Sequence, residues 1–145
     1  MYGMAKAYDG NGDRMTALDL YQEVARQDKS NSDVYYAMAR IYSKAKDHES
    51  SIRSLEEGLK RDRRNAKLYQ ALGHEYRILK NTSLAIENYL KAVRLDEIRC
   101  VESYRYLGNI YYRSGNEKKA KKYYATYIKL GGKNKKVRRY MSRLQ

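Results

Sequence analysis

LYQALGHEY, residues 68–76, and SYRYLGNIY, residues 103–111, are one phrase written twice. Both carry Tyr second, Leu fifth, Gly sixth and Tyr ninth, and they begin 35 residues apart. The likeness spreads outward from them. Numbering units from Ser32, Ala66 and Val101, position 4 holds Tyr35, Tyr69 and Tyr104. Position 7 holds Met4, Met38, Leu72 and Leu107, and position 8 holds Ala5, Ala39, Gly73 and Gly108. Position 11 is Tyr8, Tyr42, Tyr76 and Tyr111, so a fourth, earlier unit enters at about its position 4. Position 20 holds Ala17, Ser51, Ala85 and Ala120, and position 24 holds Tyr21, Leu55, Tyr89 and Tyr124. The second and third units start 34 residues apart, and one extra residue in EIRC separates the third from the fourth.

Each unit has two stretches of apolar 3–4 spacing with a short break between them, the pattern of a helical hairpin. The chain contains no Pro, which suits uninterrupted helices. Large residues at positions 4, 7, 11 and 24 oppose small ones at 8 and 20, which lets two helices approach closely. One such hairpin cannot bury its apolar stripe alone, so neighbours must stack.

In this register the chain resembles the tetratricopeptide repeat family over nearly its whole length up to residue 132. The resemblance implies an all-α fold, a right-handed superhelical solenoid of about four hairpins. The repeats are expected at residues 1–31 (truncated at its start), 32–65, 66–100 and 101–133, forming one domain over 1–145. The family's usual Pro near position 32 is replaced by Lys29, Arg63, Glu97 and Gly132. Past Gly131 and Gly132, Val137, Tyr140, Met141 and Leu144 fall at i, i+3, i+4 and i+7. That stripe predicts an amphipathic capping helix over 134–145, its apolar face on the last repeat.

DGNGD, residues 9–13, places oxygens at alternate positions, as a calcium loop does. Such a loop needs Gly sixth and a bidentate Glu twelfth, and Arg14 and Leu20 stand there. Asp13 shares position 16 with Asp47, Asn81 and Asn116, one residue before each second helix. These residues are expected to be helix N-caps, with DGNGD a turn.

The net charge is +14, and its distribution is uneven. Residues 101–145 hold 13 Lys and Arg against 2 Glu, whereas residues 1–31 hold 4 against 5 acids. This asymmetry points to an anionic partner. The resemblance implies that positions 2, 5, 9, 12 and 13 of each first helix look into a concave groove. The residues expected to bind there are Lys6, Tyr36, Arg40, Lys44, Lys67, Gln70, His74, Arg77, Arg105, Asn109, Tyr112 and Arg113. Only Asp9, Asp33 and Glu102 oppose the cations at these positions. Arg offers a planar fork to oxyanions and Tyr offers apolar area at little entropic cost. The partner expected is therefore a protein or peptide, acidic and partly apolar, held by a scaffold or assembly adaptor.

Arg105 and Asn109 match the first part of a terminal-carboxylate clamp found in one branch of the family, but the rest of that pattern is absent. The alternative partner is nucleic acid or another anionic surface, met by EKKAKKYY (residues 117–124) and the basic final helix. Self-association through the open first helix is a separate expectation. No catalytic constellation, cofactor motif or metal-ligand spacing is legible, so the expected protein is not an enzyme. Cys100 is expected to be semi-buried, its thiol lowered in pKa by neighbouring Arg99. The opening residues lack a signal-peptide profile and no run is apolar enough to span a membrane, so the compartment stays open and a soluble chain is expected.

Overall fold

The computed structural model describes residues 1–144; Gln145 lies outside the described residues. Those residues form nine helices and no strand: α1 Tyr2–Gly10, α2 Arg14–Gln27, α3 Asp33–Lys44, α4 His48–Arg61, α5 Ala66–Ile78, α6 Thr82–Leu95, α7 Val101–Arg113, α8 Glu117–Lys129 and α9 Lys135–Leu144. The result is an all-α solenoid of helical hairpins. Each helix packs on its neighbours in sequence, and α3 also packs on α5.

The N-cap expectation holds at every hairpin. Asp13, Asp47, Asn81 and Asn116 accept the backbone N–H of the residue three further on, at 3.2, 3.0, 3.3 and 3.1 Å. Each satisfies a donor that the first helical turn cannot. The residue before each cap takes a left-handed conformation, with φ of 85° at Gly12, 62° at Lys46, 59° at Lys80 and 76° at Gly115. The turn geometry is thus common to all four hairpins although only two supply the residue that favours it.

Close packing inside the hairpins follows the small-against-large rule. Tyr89 and Tyr124 are fully buried, and their rings lie where a Cβ on Gly73 or Gly108 would stand, at 2.6 and 2.4 Å. In the second hairpin Ala39 and Leu55 occupy these two positions. Ser51, at the small position of α4, is buried with its hydroxyl donating to the Ala39 carbonyl at 3.0 Å, so its polarity is satisfied.

The apolar clusters recur along the solenoid. Each joins a hairpin to the first helix of the next: Ala5, Ala17, Tyr21 and Val34 across α1–α3, then Ala39, Leu55 and Leu68 across α3–α5. Ala85, Tyr89 and Leu107 do the same beyond α5, and Tyr124, Tyr127 and Val137 join α8 to α9. Polar ties cross the same seams. The buried Glu75 carboxylate meets His48 Nδ1 at 2.7 Å, and Asn65 Nδ2 donates to Ser32 Oγ at 2.9 Å.

Two expectations need correction, one at α1 and one at Cys100. Met4 and Tyr8 occupy core positions of the repeat but are 56% and 38% exposed, because no helix covers that face of α1. Cys100 is fully rather than half buried. Burial first, and then the Asp96 carboxylate, pushes its thiol up to about 11, the reverse of the expected lowering. Arg99 turns its guanidinium to Asp96 at 3.6 Å. The last helix caps the final hairpin as expected, covering α8 with Val137, Tyr140, Met141 and Leu144. It sits where the first helix of a further repeat would, since Lys135 falls 34 residues after Val101.

Candidate functional site

The first helices of the hairpins line up to form one face, and two cavities open on it. The first, about 260 Å³, lies between α3 and α5. Its floor is apolar, built from Ala39, Leu55 and Ala71, and Tyr36, Arg40, Lys44 and the exposed Ile78 form its rim. Arg40 and Lys44 are exposed and Tyr36 is half-buried. The Lys67 ammonium stands 4.1 Å from the Tyr36 ring centre and 3.5 Å from Asp33. Gln70 faces away from this cavity into an open cleft on the loop side, shared with Lys67 and Arg99. Lys6 lies alone on α1, 5.7 Å over the Tyr2 ring.

The second cavity, about 400 Å³, lies between α5, α7 and α9. Tyr106 is its hub. The guanidinium carbons of Arg77 and Arg105 lie 4.7 and 4.3 Å from the Tyr106 ring centre. The same ring stacks parallel to Tyr89 at 5.5 Å and meets His74 edge-on at 4.8 Å. Arg105 is ion-paired with Glu102, whose other oxygen accepts from the Tyr127 hydroxyl at 3.2 Å. Asn109 Oδ1 accepts from the Tyr124 hydroxyl at 2.9 Å, and Tyr112 stacks on Tyr140 at 4.5 Å. Arg113 and Lys136 are exposed at the rim.

Two family signatures complete the picture, both described as tetratricopeptide repeat: one matches residues 2–74 and the other residues 66–98 and 101–131. The chain belongs to the tetratricopeptide repeat family. No curated protein matches it. Among solved structures it is similar to the crystal structure of MamA, with a TM-score of 0.83 and 21% identity over 97% of this chain and 81% of that one. It is also similar to PilF of Pseudomonas aeruginosa, TM-score 0.84 and 19% identity, over 99% of this chain and 65% of that one. MamA from Desulfovibrio magneticus RS-1, residue 41 to its end, gives 0.74 and 23% identity over 89% and 72%. Identities this low speak to the fold alone.

In this tetratricopeptide repeat chain the groove residues read from the sequence therefore divide. Tyr36, Arg40 and Lys44 gather at the first cavity, with His74 between the two. Arg77, Arg105, Asn109, Tyr112 and Arg113 gather at the second. Lys67 and Gln70 lie towards the loop edge, and Lys6 stands apart. His74 is mostly buried, and its Nδ1 shares a hydrogen bond of 2.8 Å with the Tyr89 hydroxyl. Burial first, and the Arg77 charge second, lower its pKa to about 4, so it is neutral at pH 7. Burial likewise raises the Tyr89 phenol, and raises Tyr124 to about 12, so both keep their protons for hydrogen bonding.

Sequence reasoning missed Tyr106, Lys136 and Tyr140 as lining residues. The available signal was register. Continuing the 34-residue count through the Gly-Gly break places Lys136 at position 2, a groove position, and Tyr140 at position 6 beside Tyr106. No group of His, Cys, Asp and Glu among the described residues is arranged to hold a metal ion. No helix among them is long and apolar enough to cross a membrane.

Proposed function

We propose that this chain is a non-enzymatic scaffold or assembly adaptor whose row of first helices acts as one groove for an acidic segment of a partner protein. As a tetratricopeptide repeat fold it is a protein–protein interaction module. The acidic character of the ligand is the further step, and one observation carries it. Of the cations on this face, Lys67 and Arg105 have acidic partners, whereas Lys6, Arg40, Lys44, Arg77 and Arg113 have no ion pair among the described residues. A face lined by cations of one sign raises the local concentration of an anionic partner. Arg40 and Arg77 would fork to carboxylates, and Tyr36 and Tyr112 would supply apolar contact. Because several of these side chains are already held by stacking, little of their freedom is lost on binding.

The test is a pulldown from the native lysate at physiological salt, with and without nuclease. Wild type is compared with the Arg40→Glu, Arg77→Glu, Arg105→Glu triple variant, its fold checked by circular dichroism. An acidic protein retained by wild type and lost by the variant is the expected result. Ligands that vanish with nuclease, or that ignore the groove charges, would refute the reading.

A second reading has its own support on the outer helix. Lys119 and Lys122 stand 4.9 and 5.7 Å over the rings of Tyr111 and Tyr123, which stack on each other at 5.6 Å. Cations beside aromatic rings suit nucleic acid or another anionic surface. Removing the charge of Lys118, Lys119, Lys121 and Lys122 would abolish that binding and leave the groove untouched.

A further inference from the structure

The second cavity is more specialised than a general acidic groove requires. Four cations border it: Arg77, Arg105, Arg113 and Lys136. No carboxylate borders it, and Glu102 beside it neutralises Arg105 only. The three remaining charges have no ion pair among the described residues. One carboxylate would leave most of this charge unmatched. A phosphoryl group carries about −1.5 to −2 at neutral pH and three acceptor oxygens, which comes closer to balance.

The donors are also fixed in place. Arg77 and Arg105 both lie against Tyr106, and Arg105 is tied to Glu102. Arg guanidinium groups held this way present parallel N–H bonds matched to phosphate oxygens. Asn109 is oriented by its neighbour. Because its Oδ1 accepts the Tyr124 hydroxyl, its amide NH2 is the free end, and that end makes no hydrogen bond among the described residues. An amide whose oxygen is turned to Tyr124 has its two N–H donors left to offer. The first cavity differs: Arg40 and Lys44 stand at its rim, but no Arg there is held against a ring, the Glu75 carboxylate borders it, and most of its lining is apolar.

From these features the geometry points to a phosphoryl seat: the cavity between α5, α7 and α9 receives a phosphorylated side chain of the partner peptide, while the apolar cavity between α3 and α5 receives a neutral side chain of the same segment. This inference rests on the groove reading above and sharpens it. Two unlike seats also fix the direction in which the peptide lies. Helix α9 is then part of the site, because Lys136 is one of its donors.

The experiment measures the affinity of the full chain for fluorescent peptides from a degenerate acidic library, with a central Ser, phosphoserine or Glu. Phenyl phosphate and a single-stranded oligonucleotide serve as further probes. The expected result is that phosphoserine peptides bind about tenfold or more tightly than both counterparts, the scale of charge-assisted hydrogen bonds gained. Arg113→Glu and Lys136→Glu, both at exposed rim positions, should each weaken phosphopeptide binding about tenfold. Lys129→Glu, the same charge change at an exposed position in the last turn of α8, should leave it unchanged. Phenyl phosphate should shift the side-chain amide resonances of Asn109.

Equal affinity for phosphoserine and Glu peptides would overturn the phosphoryl seat while leaving the acidic groove standing. No binding of any acidic peptide would bring down both. Equal weakening by Lys129→Glu would mean long-range attraction rather than a seat and would overturn the proposal. Oligonucleotide binding that depends on Arg113 and Lys136 would give the cavity to nucleic acid and also overturn the proposal.

Discussion

Gly108→Ala tests how tightly the last hairpin is shut. The added methyl would stand 2.4 Å from two ring carbons of Tyr124, where ordinary carbon contacts begin near about 3.5 Å. Something must move by roughly 1 Å. Tyr124 cannot swing aside cheaply, since it is fully buried and its hydroxyl is held by Asn109. Overpacking of this kind costs about 1–3 kcal/mol, and the rigid ring puts this site at the upper end. Exchange of Gly for Ala returns about 1 kcal/mol of helix propensity. The net expectation is a loss of about 2 kcal/mol, or a fall in Tm of roughly 4–8 °C. The chain itself supplies the rescue, because its second hairpin pairs Ala39 with Leu55 at these positions. Tyr124→Leu alone destabilises by leaving a cavity, but Gly108→Ala with Tyr124→Leu should be less damaged than the sum, by a coupling of about 1–2 kcal/mol. Urea denaturation of the four proteins in this cycle measures it. A Gly108→Ala protein within about 0.5 kcal/mol of wild type, or strictly additive effects, would refute the reasoning. Either would mean that the hairpin can widen to hold Ala opposite Tyr, the pairing that Ala5 and Tyr21 make in the buried core of the first hairpin.

Lys46→Gly and Lys80→Gly should each stabilise by about 0.5–1 kcal/mol, since both lysines hold a positive φ that glycine adopts without strain; the same denaturation assay checks this. His74 makes stability depend on pH in a defined window. Its folded pKa of about 4 lies below its unfolded value of 6.5, so the unfolded chain binds the extra proton first. Stability from this residue is complete above pH 6.5, falls as pH drops towards 4 and totals about 3 kcal/mol; His74→Gln should flatten that part of the profile. The Cys100 thiol, buried and raised to about 11, should react with a thiol reagent in the native protein only as fast as the chain opens locally, and at once in denaturant.

The parts of the fold legible in the sequence are those set by local spacing. The caps at Asp13, Asp47, Asn81 and Asn116 depend on three residues each, and all four hold. The opposition of Gly73 to Tyr89 and of Gly108 to Tyr124 follows from periodicity within one hairpin. What escaped depends on distances between hairpins. Tyr106 stands at position 6, which the register marks neither as core nor as groove, yet it touches His74, Tyr89, Arg77 and Arg105 from two other helices and its own. The exposure of Met4 and Tyr8 depends on a neighbour that periodicity cannot report. Arg99 lay next to Cys100 in sequence, but its ion pair with Asp96 and the burial of the thiol reversed the effect inferred from adjacency.

The order of contacts has a mechanical consequence. The contacts described above run between helices adjacent in the chain or between first helices of successive hairpins, as α3 with α5, α5 with α7 and α7 with α9. A load applied at the two ends therefore meets no long-range clasp that must break before the rest can yield. The chain would lengthen in steps of one hairpin, each step releasing its own small cluster of side chains while the next stays shut. Refolding under falling load could start from any hairpin still intact. As a tether between two assembled parts, such a chain would behave as a spring that gives under tension and recovers.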